Sequence, residues 1–398
     1  MGAASIKSFR EQGDVTMRLL HVVDSDQRRG GEVFASELTS VLGRHDVDQH
    51  VVVLTSSTTG GIDFTVGTSA LPSGGPVLPF VKLDLRMLLG LWRLIRQVNP
   101  DIIQGHGGDT FKYTAAAAVG HPARLVQRAI GAPPEWVRRG PRRLAYAFIL
   151  SRSARIIAVA ESVRSDIINV FRIPAERVVM IPSACEPARI APKTDREAVR
   201  SGLGIPVDAP VIISLGALTW EKNPLAHVEV SACVLHDNPE CRHLIVGEGP
   251  LRSAVEARIR ELRIESRVML LGSRADIGDL LGASDVMLLA SRIEGMPAAI
   301  IEAGFAGLPV VAFAVAGVGE VILDQVTGYL VAPGEIKGLV LAIERLLEDR
   351  DLMRTMSEAG RRWTLANYDI GTVGPKYFEL YEDLLKVRLK ETNHHTSR

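Results

Sequence analysis

Residues 286–312 read VMLLASRIEGMPAAIIEAGFAGLPVVA, and this stretch decides the fold. It begins as a continuous apolar run, turns at Gly295 and Pro297, continues with helical spacing, and ends in a second apolar run. Continuous apolar strands are typical of parallel sheets that helices cover on both faces. The stretch therefore predicts one β-α-β unit of an α/β domain. It also carries two carboxylates, Glu294 and Glu302, eight residues apart around the turn.

The same alternation of short apolar runs and helical segments extends along the chain. One set of runs lies at 18–24, 49–56, 100–108, 123–129, 154–160 and 176–183, and a second lies at 210–218, 241–249, 267–273, 285–291, 309–315 and 328–333. Between the sets, residues 187–209 are rich in proline, glycine and charge, which indicates a linker with one short helix. We therefore predict two α/β domains in tandem, each with a parallel sheet.

Composition narrows the class of protein. The chain has 398 residues, 46% of them apolar, and its 46 Lys and Arg residues equal its 46 Asp and Glu residues. This balance argues against a nucleic-acid binder. The three cysteines have no disulfide or zinc spacing, which favours a reducing cytoplasm. No signal-peptide core and no long apolar stretch is present, so we expect a cytoplasmic protein.

The polar and glycine-rich segments follow the predicted strands. In open parallel sheets, ligands bind outside the carboxyl ends of the strands. Five loops stand at such positions: RRGG (28–31), QGHGG (104–108), GALTWEKNP (216–224), GEGP (247–250) and the turn after Ser291. None fits the GxGxxG dinucleotide fingerprint or the GxxxxGK[ST] phosphate loop. The sequence therefore predicts a site assembled from several strand ends.

The spacing Glu294-x7-Glu302 resembles the signature of the retaining glycosyltransferases of the GT4 family, which have the two-domain GT-B fold. Further motifs follow in the family's order: GG (30–31) with Glu32, PDIIQGHGG (100–108), VAES (159–162), ERVVMIPSACE (176–186), Gly216-x5-Lys222-Asn-Pro, VGEGP (246–250) and GVGEVILDQVTGYLV (317–331). The resemblance spans roughly residues 17–390. It implies a nucleotide-sugar donor in a cleft between the two domains.

With this resemblance, the domain prediction becomes specific. We expect a flexible leader over 1–16, an acceptor-binding Rossmann-like domain over 17–186, a linker over 187–204, a donor-binding Rossmann-like domain over 205–365, a helix over 366–390 that crosses back to the first domain, and a tail over 391–398. The first-domain segment 57–80 is expected to contact the acceptor.

The resemblance also assigns roles around the leaving diphosphate. Lys222 and the backbone amides of Ala298 and Ala299 would supply positive potential there, so no metal and no cofactor is expected. Pro297 suits a first helical turn, where its missing N–H is not needed. As hydrogen-bond acceptors, the carboxylates would hold hydroxyl groups: Glu294 those of the transferred sugar and Glu302 those of the ribose.

The remaining site residues are also implied by the resemblance. His106 would lie beside the donor sugar. Donor contacts are implied for Gly30, Gly31, Gly216, Arg274, Gly295 and Met296. Arg274 belongs to the loop that touches the base, more through backbone than side chain. The implied mechanism is front-face substitution with retention of anomeric configuration.

Two departures from the family pattern stand out. Ala217 occupies the position where the family usually has an arginine beside Lys222, and IPSACE (181–186) replaces IPNGVD.

The donor is expected to be a UDP- or GDP-linked hexose or N-acetylhexosamine. The acceptor is expected to be a hydroxyl of a cell-envelope glycan, a glycolipid or a small-molecule glycoside.

Other interpretations stay open at this point. A nucleotide-sugar 2-epimerase shares the GT-B architecture, and Ala217 suggests a nucleotide-sugar binding protein without turnover. Asp24-x-Asp26 resembles the metal-binding motif of a different glycosyltransferase fold, but Asp46-x-Asp48 shows that such pairs arise freely in this chain.

A basic segment is the last feature. Residues 136–160 hold six arginines and no acidic residue. They indicate either a solvated helix face or a peripheral contact with the anionic inner face of a membrane. The predicted contact residues are Arg138, Arg139, Arg142 and Arg143.

Overall fold

The computed structural model describes residues 17–56, 61–78, 82–131, 133 and 137–396, with side chains to residue 386. The leader over 1–16, parts of the 57–80 segment, and the last two residues lie outside the described residues. The described chain forms two parallel sheets flanked by helices, so the predicted two-domain α/β class is confirmed.

The first domain contains β1 (Met17–Ser25), α1 (Gly30–Leu42), β2 (Val47–Thr55), β3 (Gly67–Ala70), β4 (Val77–Leu78), β5 (Leu83–Asp84), α2 (Leu85–Val98), β6 (Ile102–His106), α3 (Thr110–Ala117), β7 (Arg124–Ala129), α4 (Gly140–Ser151), β8 (Arg155–Ala158), α5 (Glu161–Phe171) and β9 (Val178–Met180). Seven of these strands form one parallel sheet in the order β3-β2-β1-β6-β7-β8-β9. The other two, β4 and β5, form a separate antiparallel pair.

The second domain contains β10 (Val211–Leu215), α8 (Pro224–Asp237), β11 (Arg242–Val246), α9 (Arg252–Glu261), β12 (Val268–Gly272), α10 (Ile277–Gly282), β13 (Val286–Leu289), α11 (Ala298–Ala306), β14 (Val310–Phe313), α12 (Val318–Val321), β15 (Gly328–Val331), α13 (Ile336–Glu348) and α14 (Arg350–Tyr368). Its six strands form one parallel sheet in the order β12-β11-β10-β13-β14-β15. The quoted stretch is the unit β13-α11-β14, as predicted.

The segment between the sheets contains two short helices, α6 (Pro187–Ile190) and α7 (Arg196–Gly202). We expected one, and that prediction was wrong. Pro187 starts the first helix, where its fixed φ fits the opening turn. Asp195 caps the second, because its carboxylate accepts a hydrogen bond from the Glu197 amide at 3.0 Å.

The chain ends in α15 (Ile370–Thr396), which packs against α1 of the first domain. Tyr377 and Tyr381 of this helix are fully buried with Phe34 of α1. The helix therefore completes the core on one face of the first sheet. Within the described residues, no helix is long and apolar enough to cross a bilayer.

Candidate functional site

The centre of the site is an ion pair between the ends of two neighbouring strands. Lys222 follows β10 and Glu294 follows β13, and these strands pair in parallel, so their carboxyl ends meet. The Lys222 ammonium donates to both carboxylate oxygens of Glu294, at 2.7 and 2.8 Å. The Glu294 side chain is 5% exposed, whereas that of Lys222 is 32% exposed. The lysine can therefore neutralise the carboxylate and still reach a ligand.

Helix α11 begins beside this pair. Its first residue is Ala298, and the preceding Pro297 is extended, with ψ of 112°, and gives no side-chain cap. Pro297 thus lies one residue before the first turn in which we expected it. The first amides of a helix have no partner within the helix, and the dipole makes this end positive. The backbone amides of Ala298 and Ala299 are therefore well placed to bind an anion.

Glycines bring the two domains into close contact around the same helix. A Cβ added to Gly30 would lie 3.3 Å from the Ala298 Cβ, across the cleft. A Cβ on Gly295 would lie 2.2 Å from the carbonyl oxygen of Ile130, which belongs to the first domain. Gly31 lies against the Ile130 side chain, with its added Cβ at 3.4 Å. Gly295 must be glycine because a side chain there would collide with the backbone of the other domain, whereas Gly30 and Gly31 face side chains.

The other carboxylate of the opening stretch is engaged by an arginine that the sequence analysis missed. Arg189 of α6 donates from Nη2 to Glu302 of α11 at 2.8 Å and from Nε to Glu37 of α1 at 2.6 Å. Glu37 also accepts from the Glu186 amide at 3.0 Å. One guanidinium thus connects a helix of each domain through the linker. The nearest signal in the sequence is the altered IPSACE segment, which ends three residues earlier at Glu186.

A second missed arginine lies inside the first domain. Arg128 of β7 is 1% exposed and donates to the Tyr377 hydroxyl at 3.1 Å and to the Ser183 hydroxyl at 2.9 Å. Its guanidinium carbon lies 3.8 Å from the centre of the Phe34 ring. The Ser183 amide in turn donates to the sulfur of Met296 at 3.2 Å. Met296, predicted to approach the hexose, therefore reaches into the first domain.

His106 ends β6 and is only 4% exposed. Burial lowers its pKa well below the usual value, and the neighbouring His21 and Arg128 lower it further. The imidazole is therefore neutral at physiological pH. The neutral ring can donate or accept a hydrogen bond, but it brings no positive charge to a leaving phosphate.

Gly216 and Arg274 complete the predicted set. Gly216 lies beside Lys222, with an added Cβ at 3.7 Å from the lysine Cδ. Arg274 follows the edge strand β12 and forms a bidentate ion pair with Asp276, with N–O distances of 2.8 and 2.5 Å. This pair raises the pKa of Arg274 and lowers that of Asp276. The structure thus brings Gly216 to the Lys222–Glu294 pair, whereas the Arg274 side chain is turned to Asp276.

An apolar cavity of about 230 Å³ opens beside the His106 loop in the first domain. It is lined by Gly108, Phe111, Ala129, Ile130, Tyr146 and Ile167, among others. Helix α4 lies over it and exposes Leu144 and Phe148 on its outer face. The sequence analysis did not predict this cavity, because its lining comes from four separated segments.

Among the described residues, no group of three or more His, Cys, Asp or Glu side chains could hold a metal ion. Metal independence stays a prediction.

The basic segment makes contacts within the first domain. Arg138 pairs with Asp166 at 2.7 Å, and Arg143 donates to the Val170 carbonyl at 3.0 Å. The side chains of Arg139 and Arg142 are exposed.

The buried His227 beside the site predicts acid sensitivity. Its Nε2 accepts from the Ala290 amide at 2.9 Å, and burial, with Lys222 nearby, lowers its pKa to about 4. Between pH 6.5 and 4 the unfolded state binds the proton and the folded state does not, so stability falls as pH falls. Between pH 7 and 5 this group should cost the fold about 2 kcal/mol.

We expect His227→Gln, which keeps an acceptor for the Ala290 amide, to lose less stability than the parent over that pH range. Urea denaturation at pH 7 and pH 5 measures the difference. The exposed His236→Gln is the matched control. Equal losses in the parent and in His227→Gln would contradict the prediction.

Family models match both domains. The model described as Glycosyltransferase Family 4 matches residues 28–189, and the model described as Glycosyl transferases group 1 matches residues 195–363. Each match contains the strand-end loops of one half of the site.

Curated relatives and solved structures agree with these matches. The chain is 27% identical over 312 residues to the Escherichia coli UDP-Gal:alpha-D-GlcNAc-diphosphoundecaprenol alpha-1,3-galactosyltransferase, covering 76% of this chain and 80% of that protein. It is 26% identical over 268 residues to the alpha-D-kanosaminyltransferase of Streptomyces kanamyceticus, covering 66% and 67%. The crystal structure of Anabaena HepE with UDP and glucose superposes with a TM-score of 0.79 at 20% identity, covering 92% of this chain and all of HepE. This likeness shows the GT-B fold.

Proposed function

Because the chain belongs to the GT4 glycosyltransferases of GT-B fold, we propose that it is a retaining enzyme that transfers a hexose or N-acetylhexosamine from a UDP- or GDP-sugar to an acceptor hydroxyl. The observation that carries the proposal is the Lys222–Glu294 pair beside the uncapped start of α11. A cation, a row of free amides and a hydroxyl acceptor are thereby gathered at one point. A nucleotide sugar needs this combination.

The leaving diphosphate gains negative charge as the glycosidic bond breaks. Donors that are already in place stabilise that charge without reorganisation. Lys222 and the amides of Ala298 and Ala299 supply such donors from the protein itself. These residues would do the work that a metal does in other sugar transferases. Ala217 leaves space beside Lys222, where it lines the same crevice as Gly216 and His227.

The two carboxylates, Glu294 before the turn and Glu302 on α11, would hold different parts of the donor. Glu294 would accept from a hydroxyl of the transferred sugar, and Glu302 would accept from the ribose. Both oxygens of Glu294 accept hydrogen bonds from the Lys222 ammonium, which lowers the nucleophilicity of this carboxylate towards the anomeric carbon. That favours front-face substitution, in which the departing phosphate takes the proton of the incoming hydroxyl.

The relatives suggest which donor to test first. The name of the Escherichia coli relative specifies a UDP-sugar, and HepE was solved with UDP. The apolar cavity beside Gly108 supports an acceptor that carries an apolar group, such as a glycolipid. The curated relatives, which are transferases, favour neither the epimerase nor the non-catalytic interpretation.

A thermal-shift screen against UDP-, GDP- and ADP-sugars tests the proposal, because a ligand that binds the folded state stabilises it. We expect a UDP- or GDP-sugar to raise the melting temperature, and transfer to follow when acceptors are added. Epimerised sugar nucleotide formed without acceptor would instead indicate the epimerase. Donor binding without transfer or hydrolysis would indicate a binding protein. No stabilisation by any of the three classes would overturn the proposal.

We further propose that α4 docks on an anionic membrane surface. Leu144 and Phe148 of this helix are 62% and 67% exposed, and Arg142 within it and Arg139 and Arg152 at its two ends are exposed as well. Amphipathic basic helices of this kind lie at lipid interfaces. The enzyme would then work at the inner face of the membrane.

We expect the protein to float with vesicles of phosphatidylcholine and phosphatidylglycerol, and to stay behind with phosphatidylcholine alone. Each exposed arginine should contribute about 1 kcal/mol, so Arg139→Ala should weaken the partition about fivefold. Phe148→Ser should also weaken it, whereas Val119→Ser, an exposed apolar residue just after α3, serves as control. Equal flotation with both lipids would rule this docking out.

A further inference from the structure

A row of polar side chains crosses the first sheet beneath α1 and α15. Gln49 of β2, His21 of β1 and His106 of β6 are all at least nine-tenths buried. His21 Nδ1 lies 3.0 Å from His106 Nε2, and His21 Nε2 lies 3.2 Å from Gln49 Oε1. The row therefore connects the site histidine to a residue on the far side of β1.

At the Gln49 end of this row, the direction of the hydrogen bonds is fixed. Gln49 Nε2 donates to the backbone carbonyl of Thr39 at 3.0 Å. A carbonyl can only accept, so the Gln49 amide must turn its nitrogen toward Thr39 and its oxygen toward His21. His21 Nε2 must then carry a hydrogen, because it faces an oxygen that can only accept.

The donor and acceptor roles set at Gln49 determine those of His21 and then those of His106. Burial lowers the pKa of His21 to about 4, so its ring is neutral and has one hydrogen only. With that hydrogen on Nε2, its Nδ1 is an acceptor, and the partner atom His106 Nε2 must donate. His106 is also neutral, so its Nδ1 is left with a lone pair. Within the described part of the chain, that buried Nδ1 has no hydrogen-bond partner.

Gln104 is compatible with this arrangement. As placed, the Gln104 Nε2 lies 3.3 Å from His106 Nε2, and its Oε1 accepts a hydrogen bond from the Tyr381 hydroxyl. A hydroxyl can donate or accept, so it fixes no orientation, unlike the Thr39 carbonyl. A half-turn of the Gln104 amide places its oxygen on the His106 N–H and its nitrogen on the tyrosine oxygen. The Thr39 carbonyl therefore decides the direction of the hydrogen bonds along the whole row.

We propose that His21 and Gln49 are positioning residues that hold His106 as the Nε2–H tautomer, so that its Nδ1 lone pair accepts a hydrogen bond from a substrate hydroxyl. The tautomer follows from the contacts and from the neutrality of the two buried rings, whereas the substrate hydroxyl rests on the proposed function. Neither His21 nor Gln49 needs to touch the substrate. They act by choosing which nitrogen of His106 is free.

Two-bond proton–nitrogen correlation spectra of the protein with ¹⁵N-labelled histidine rings test the proposal, since they distinguish the two neutral tautomers. The His106 signals are assigned by their loss in His106→Gln. We expect the parent to show Nε2–H for His106 and for His21. A hydrogen on His106 Nδ1 would overturn the proposal without recourse to any other variant.

Gln49→Met removes the anchor and should convert His106 to a mixture of tautomers, whereas Gln97→Met, an exposed glutamine of α2, should leave its spectrum unchanged. An unchanged His106 spectrum in folded Gln49→Met would remove Gln49 from the proposal. Because the spectra need no turnover, a chain that transferred no sugar would fail the proposed function and still give a decisive result here.

Discussion

Replacing Lys222 with methionine is expected to lower kcat about 100- to 1,000-fold, the usual cost of losing one donor to a developing negative charge. Methionine keeps the length of the side chain and removes the ammonium that lies 2.7 Å from Glu294. The variant thus loses the donor to the diphosphate and leaves the buried Glu294 carboxylate unpaired. Steady-state transfer with the donor identified by thermal shift measures the effect.

Two further variants separate chemistry from stability. Lys337→Met, at an exposed position of α13, should keep the activity of the parent. Adding Glu294→Gln to Lys222→Met removes the unpaired charge, so the double variant should regain melting temperature without regaining turnover. A Lys222→Met enzyme within threefold of the parent kcat would show that the lysine does not stabilise the leaving group.

The sequence predicted Lys222 and Glu294 as separate site residues but not as a pair. They are 72 positions apart, and they meet because β10 and β13 are neighbours in the sheet. Apolar periodicity predicts that strands exist, and the structure confirmed the α/β class that it predicted here. It does not give the order of strands in a sheet. The partner of each strand-end residue could therefore not be predicted from spacing.

Arg189 and His106 show a second limit of sequence reasoning. Arg189 lies in the linker, where a basic residue is usually solvated, and its importance depends on carboxylates from α1 and α11 that only the folded chain brings together. His106 was predicted from its motif, but His21 and Gln49 read as ordinary strand residues. Their alignment depends on the register of β2, β1 and β6, which is a tertiary property.

Gly295→Ala tests whether the close contact of the domains is needed for transfer. The added Cβ would lie 2.2 Å from the Ile130 carbonyl oxygen and 2.6 Å from the Gly131 Cα, both backbone atoms of the other domain. Backbone cannot move aside as a side chain can, so the two domains must separate slightly. A misplacement of about 1 Å can cost about 100-fold in rate, and we expect kcat/KM to fall by that order.

The binding of UDP distinguishes this effect from damage to the donor site. UDP should contact mainly the second domain, through Lys222 and the start of α11, so its affinity should stay within a few-fold of the parent. Gly202→Ala is the matched control, because its added Cβ meets nothing within 4 Å at the end of α7. If Gly295→Ala transferred sugar as fast as Gly202→Ala, the contact between Gly295 and Ile130 would not belong to the working state of the enzyme. If it lost transfer and kept UDP, the glycine would be required because alignment of the two domains depends on backbone contact at this point.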